Sequence, residues 1–255
     1  MKIAVISDIH GNPHALRDVL KDIQKNECDK VVCCGDIVGY GYDPQKCIDI
    51  IRERNIPCVM GNHDAGLVGE LSIDWFSETA KRQVLLHRSM VSEESKDWIR
   101  KLPYTIVEEI EGVKIAFAHG GYFQPKEFDY IEDSWVARTE LDVICRQNIL
   151  ALFVGHTHIA CGFSIKSTDQ YCPEYIRVSS EKKKYSIADS GNINAIFNAG
   201  SVGYPRAQPM IAYCIFDTND MSVEWRTFRF SHKEYKQRLH EKGMKIPLWV
   251  EAGCE

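Results

Sequence analysis

The chain has 255 residues, a formal charge of −5, 44% hydrophobic and 26% charged residues, an ordinary globular composition that excludes a disordered or fibrous chain. Its acidic balance gives no generic attraction to a nucleic-acid backbone or an anionic membrane surface, and no apolar run approaches the roughly 20 residues of a membrane-spanning helix. The opening apolar stretch, Ile3 to Ile6, is too short for a signal-peptide core, so the cytoplasm is the expected compartment.

Short apolar strands alternate with helical patterns through the first half. Ile3 to Ile6 reads as a strand. Asn12-Pro13 then supplies a capping residue and a proline at the first helical position. Leu16, Val19, Leu20 and Ile23 follow at the spacing of a helix packed on a core. Val31 to Cys34 is a second strand, Asp43-Pro44 opens a second helix with Cys47, Ile48 and Ile51 on one face, and Cys58 to Met60 is a third strand. This βαβαβ rhythm predicts a parallel sheet covered by helices. Ser72 to Lys101 reads as two helices broken near Met90, with Ser92-Glu93-Glu94 restarting the second. Thr105–Glu109 and Val113–Ala118 read as a hairpin, Trp135 to Gln147 as a helix, and Leu150 to Val154 as a strongly apolar strand. Beyond it the texture turns to β: Gly162–Lys166, Tyr175–Val178, Ala195–Asn198, Met210–Phe216 and Val223–Phe230, closed by a polar helix from Ser231 to Lys242. No repeat or linker divides the chain, which predicts one domain over 1–255.

Ten cysteines first suggest a disulfide framework. Cys33 and Cys34 are adjacent in an apolar run, Cys58 and Cys214 also sit in apolar stretches, and no Cys-x-x-Cys occurs. These are the positions of small buried hydrophobes in a reducing compartment.

The polar residues that stand out lie where strands end. The first strand runs into Ser7-Asp8-Ile9-His10, the second into Gly35-Asp36, and the third into Gly61-Asn62-His63-Asp64. Ile115–Ala118 runs into His119-Gly120, and Leu150–Val154 into Gly155-His156-Thr157-His158. Ligands of open α/β sheets bind at the carboxyl ends of strands, and glycine lets the backbone turn there. Three oxygen donors (Asp8, Asp36, Asn62) and four imidazoles (His10, His119, His156, His158) suit a transition metal and are too nitrogen-rich for magnesium or calcium. Seven ligands overfill one tetrahedral site and fit two adjacent ions if a carboxylate, here Asp36, bridges them. Burying so many polar groups without partners would be very costly.

In this pattern the chain resembles the calcineurin-like metallophosphoesterases, whose blocks Asp-x-His, Gly-Asp, Gly-Asn-His-Asp/Glu, His and Gly-His-x-His occur in order as Asp8/His10, Gly35-Asp36, Gly61 to Asp64, His119 and Gly155 to His158. It looks most like the small bacterial branch related to diadenosine tetraphosphatases and phosphodiesterases, on Ser7 to Asn12, Gly35 to Gly41 and Asn198 to Arg206. The resemblance spans essentially the whole chain. It implies an α/β fold, a four-layer α/β/β/α sandwich of two packed mixed sheets flanked by helices.

It also implies a ligand set. One ion takes Asp8, His10, His158 and the bridging Asp36; the other takes Asp36, Asn62, His119 and His156. Manganese is the first expectation, with iron, zinc, cobalt or nickel as alternatives. Two ions about 3.5–4 Å apart clamp phosphate oxygens and generate a bridging hydroxide that attacks phosphorus. His63 is then the proton donor to the leaving oxygen, with Asp64 orienting it or capping the helix that follows. Arg206 and Asn12 are the substrate-binding candidates, Arg206 through its planar fork. Tyr204 stands where this branch has glutamine. The stretch from His158 to Gly200 is longer than the branch's short hairpin, which predicts a polar hairpin insertion at about 166–192.

The expected function is metal-dependent hydrolysis of small phosphate esters, phosphodiesters or nucleotides such as dinucleoside polyphosphates. A protein Ser/Thr phosphatase would use the same centre and is the alternative within the enzyme class. A non-enzymatic scaffold on the same fold is the alternative of another class, against which stand the complete ligand set and His63.

Overall fold

The structure, a computed structural model, describes residues 1–166, 172–179, 183–187, 192–206, 210–229 and 231–244. Strand β1 (Lys2–Ile6) is joined through helix α1 (Pro13–Lys25) to β2 (Lys30–Cys33), which pairs with it in parallel. Asn12 caps α1 by accepting the Ala15 N–H, and Pro13 sits where its missing donor costs nothing. Leu16, Val19, Leu20 and Ile23 are buried along one side of the helix, as their spacing requires. Helix α2 (Pro44–Glu53), capped by Asp43, buries Cys47, Ile48 and Ile51 in the same way.

The expected third strand is reduced to one parallel bridge between Cys33 and Cys58. Pro57 has no N–H to give, and at Asn62 the chain already enters α3 (Asn62–Val68), so little extended chain is left to pair. A 3₁₀ turn (Ile73–Trp75) leads to α4 (Glu78–Met90) and α5 (Glu93–Ile99), which break at the expected place; Ser92 caps α5. Next come the hairpin β3 (Thr105–Ile110) and β4 (Val113–Ala118), helix α6 (Ser134–Arg146), and β5 (Ala151–Val154), parallel to β4. The remaining strands are β6 (Cys161–Lys166), β7 (Glu174–Arg177), β8 (Lys184–Ser186), β9 (Asn192–Asn198), β10 (Met210–Asp217) and β11 (Ser222–Arg229). Helix α7 (His232–Glu241) follows.

Two mixed sheets result, in the orders β2-β1-β10-β11-β8 and β3-β4-β5-β9-β6-β7. Each central strand is buried on both faces, and its side chains divide by alternation. Ala4 and Ile6 of β1 join the core under α1 and α2, whereas Ile3 and Val5 join the core between the sheets. In β5, Ala151 and Phe153 face the inter-sheet core and Leu152 and Val154 the core under α6. Three apolar cores thus separate four layers, the α/β/β/α sandwich that the resemblance implies.

The stretch expected as one hairpin at about 166–192 divides instead between the sheets. Strand β7 pairs with β6, and β8 pairs with β11. Ile176 and Tyr185 explain the division, since each adds a side chain to the inter-sheet core. Residues 167–171, 180–182 and 188–191 of that stretch lie outside the described residues. Among the described residues all nine cysteines are free, six of them buried, and no helix is long and apolar enough to cross a membrane.

Candidate metal centre

The segments after β1, β2, β4 and β5, with the start of α3, meet at one end of the two sheets. Three overlapping groups of donor atoms form there: Asp8, His10 and His158; His10, Asp36 and His63; and Asp36, His119 and His156, each spanning no more than 4.8 Å and all buried. Asn62 adjoins them, its Oδ1 3.1 Å from His119 Nε2. All seven residues expected as ligands, and His63, are therefore brought together.

The backbone carries much of the positioning. Asp8, His10, Asp36, His156 and His158 all adopt positive φ, between 46° and 69°, a conformation uncommon outside glycine that persists where the surroundings over-determine it. The sequence reading assigns that turning to glycine. At Gly155 the need is instead for close approach, because a Cβ there would overlap Ser7 Oγ and Asp8 Oδ2.

The carboxylates are half satisfied. Asp36 Oδ1 accepts the His63 N–H at 2.9 Å and Asp8 Oδ2 the His156 N–H at 3.0 Å. Their other oxygens, Asp36 Oδ2 and Asp8 Oδ1, are buried and accept no hydrogen bond. Asp36 Oδ2 lies 3.3 Å from His119 Nε2 and 3.7 Å from His10 Nε2, between the two halves of the cluster. Asp8 Oδ1 lies 3.2 Å from His158 Nε2.

Three imidazoles are oriented in one way. The Nδ1 atoms of His10, His119 and His158 meet the carbonyls of Val38, Cys34 and Tyr204. Donation from Nδ1 leaves Nε2 of each ring as the atom facing the centre, the arrangement of metal-ligating histidine. His156 is held by Tyr130, stacked on it with ring centroids 3.8 Å apart.

Electrostatics point the same way. Burial raises the proton affinity of both carboxylates, but the surrounding imidazoles outweigh it: His158 holds Asp8 well below the usual range, and His119 does so for Asp36. Burial lowers His63 and His158. His119 is raised despite its burial, because Asp36 faces it. Two buried carboxylates with unpartnered oxygens, ringed by imidazole nitrogens, form a donor set that fits divalent transition metals.

Of the two roles expected of Asp64 the structure shows the cap, and Asn12 departs from its expected contact with substrate. Asp64 does not orient His63, whose Nδ1 has no partner; its carboxylate accepts the N–H groups of Ile37, Val38 and Gly61. It therefore caps α3 and ties down the loop after Asp36. Asn12 is not available to substrate: its Oδ1 takes Ala15 N–H and Tyr42 O–H, and its amide donates to Gly203 O. Arg206 does lie beside the cluster. It lines a cavity with Asn62, His63 and His156, and its Nη2 stands 3.5 Å from Tyr40 Oη.

Sequence reasoning missed several supports. Tyr204 stacks on Tyr40 at 4.0 Å, and Ser201 Oγ donates to the Asp8 carbonyl. His87 accepts the Gly39 N–H at Nδ1 and bonds the Gly41 carbonyl through Nε2, fixing the loop that carries Tyr40. The spacing of Ala80, Gln83, Val84 and His87 marks them as the buried face of α4 and is the signal that could have found His87. Nothing in spacing marks Tyr130.

Comparison with known proteins agrees with this geometry. The profile of the calcineurin-like phosphoesterase superfamily domain matches residues 1–221. The uncharacterized protein MJ0912 of Methanocaldococcus jannaschii is 34% identical over 249 residues, covering 97% of this chain and 95% of that one. A symmetrical bis(5'-nucleosyl)-tetraphosphatase of Erwinia tasmaniensis is 31% identical over 124 residues, 48% of this chain and 44% of its own length. The crystal structure of a metallophosphoesterase from Sphaerobacter thermophilus superposes with a TM-score of 0.78 at 26% identity, covering 98% of this chain and 97% of that one. The chain belongs to the calcineurin-like phosphoesterase superfamily. It is a metal-binding phosphoric ester hydrolase, of a family that works with divalent metal ions.

Proposed function

We propose that the protein hydrolyses small phosphate esters, phosphodiesters or nucleotides, at a dinuclear centre. The observation that carries this is the pair of buried carboxylate oxygens, Asp8 Oδ1 and Asp36 Oδ2, that face imidazole nitrogens and accept no hydrogen bond. In this reading Asp8, His10 and His158 hold one cation, Asn62, His119 and His156 hold the other, and Asp36 is shared; manganese is the favoured metal. When bound, such a pair supplies positive charge for the phosphoryl oxygens and a water acidified to near neutral pH.

The chain's own residues do the rest. Carbonyls of Val38, Cys34 and Tyr204 hold three imidazoles in their ligating tautomer. Arg206 reaches the same cavity as His63 and offers a planar fork to a second phosphate oxygen. The negative charge of a bound phosphate opposes the lowering by burial, and His63, which lines that cavity, then passes a proton to the leaving oxygen as its bond to phosphorus breaks. Similarity of part of the chain to a bis(5'-nucleosyl)-tetraphosphatase supports a nucleotide among the substrates.

A panel of bis(4-nitrophenyl) phosphate, 4-nitrophenyl phosphate, diadenosine tetraphosphate and a phosphoserine peptide, each assayed with manganese-loaded protein, tests this. Turnover of the diesters or the tetraphosphate at least tenfold above the peptide is expected. Preference for the peptide would replace this reading with a protein phosphatase.

A further inference from the structure

The cavity that His63 lines has a volume of about 630 Å³ and opens directly beside Asn62 and His156. That is within the usual range for small-molecule sites. A proton donor must stand within hydrogen-bond reach of the leaving oxygen, directly or through one water. The chamber that contains His63 is therefore the chamber into which the leaving group extends.

Its walls are aromatic. Tyr40, Trp75, Phe76, Phe128 and Tyr130 all contribute to it. The rings of Tyr40 and Phe76 lie 4.7 and 5.0 Å from that of His63, so a group bonded to the leaving oxygen meets π-faces at once. Trp75 stands at the rim on the 3₁₀ turn and is 92% exposed, an unusual position for the largest apolar side chain. Two cations, Lys126 and Arg206, share the lining with one acid, Glu127. Flat faces for stacking beside cationic groups form the chemistry that holds a base and its phosphates, because every base has a π-face. A short aliphatic or seryl leaving group would use none of these walls.

We propose, resting on the phosphoesterase reading above, that this cavity seats the leaving group, that this group is a nucleoside, and that Trp75 and Phe76 determine its selection. In the step concerned, the bond between phosphorus and the nucleoside 5'-oxygen breaks, that oxygen takes a proton, and the oxygen of water stays on the departing phosphate.

Methyl adenosin-5'-yl phosphate tests this, since either ester bond can break and the products differ. Adenosine with methyl phosphate means that the nucleoside left; adenosine monophosphate with methanol means that it was retained. Metal-loaded wild type should give the first pair over the second by about ten to one, and Trp75→Ala and Phe76→Ala should each bring that ratio down by about tenfold. Trp75 is exposed, so its variant tests the idea even where Phe76→Ala fails to fold. A wild-type ratio of one or below, or a ratio untouched by both substitutions, overturns the inference. So does turnover of bis(4-nitrophenyl) phosphate with none of the adenosyl ester. Turnover of neither ester overturns the phosphoesterase reading itself, and the inference with it.

Discussion

Nε2 of His10 and Nε2 of His158 face each other at 3.1 Å, although the residues are 148 positions apart in the chain. Each ring is turned by a bond from Nδ1 to a backbone carbonyl, of Val38 for His10 and of Tyr204 for His158. Two lone pairs held this close repel each other unless a proton or a cation lies between them. The fold thus fixes a geometry that a cation completes.

Asp36 is the residue whose loss should damage both halves of the centre. Asp36→Asn keeps an oxygen for the His63 N–H but removes the charge between His10 and His119. Metal bound per chain should fall by at least half, and hydrolysis by about a thousandfold or more, measured by elemental analysis and steady-state kinetics.

His63→Ala should leave metal content unchanged and slow turnover by about 10²–10⁴-fold for esters of alcohols. For esters of 4-nitrophenol, whose anion leaves unaided, the loss should be much smaller. Plots of rate against leaving-group acidity, which steepen when the acid is lost, check this. Equal losses for both ester types would remove His63 from that role.

Asp64→Ala should act on stability first. Its carboxylate is fully buried and accepts three backbone N–H groups, from Ile37, Val38 and Gly61. Leaving those donors without a partner should cost about 3 kcal/mol or more, read from the denaturant midpoint of the metal-free protein. A change below about 0.5 kcal/mol would show that water replaces the carboxylate.

Protonation of His87 should make stability depend on pH. Burial lowers its proton affinity from 6.5 to about 4 in the folded chain, and its Nδ1 accepts the Gly39 N–H. The unfolded chain therefore binds more protons between those values, and stability falls as pH drops from about 6.5 to 4. At pH 4.5 wild type should have lost about 2–3 kcal/mol relative to pH 7.5 through this group, a loss absent from His87→Gln. Parallel pH profiles of unfolding free energy for the two proteins would contradict it.

Much of this site is legible because its chemistry lies at strand ends. Asp8, Asp36, His119 and His156 each follow a short apolar run that folds as a strand, and local pattern is enough to find them. The supports are another matter. Tyr130 stacks on His156 from a segment between β4 and α6 with no periodicity to read. Asn12 and Asp64 each read two ways in the sequence, as chemistry or as a helix cap, and the structure uses both as caps, because unpaired N–H groups at helix starts compete for the same oxygens. The third strand is shorter than its sequence predicts: Cys58 to Met60 has a strand's apolarity, but Pro57 and the start of α3 leave it one bridge.

Hydrolysis should depend on two divalent cations held at these strand ends. Elemental analysis of the protein as isolated, then after chelation and after reconstitution with manganese, with bis(4-nitrophenyl) phosphate hydrolysis followed at each stage, tests it most directly. About two equivalents of metal per chain are expected in the active states, with loss of activity when the metal is removed and its return with manganese. Full activity in protein shown to be metal-free would contradict it.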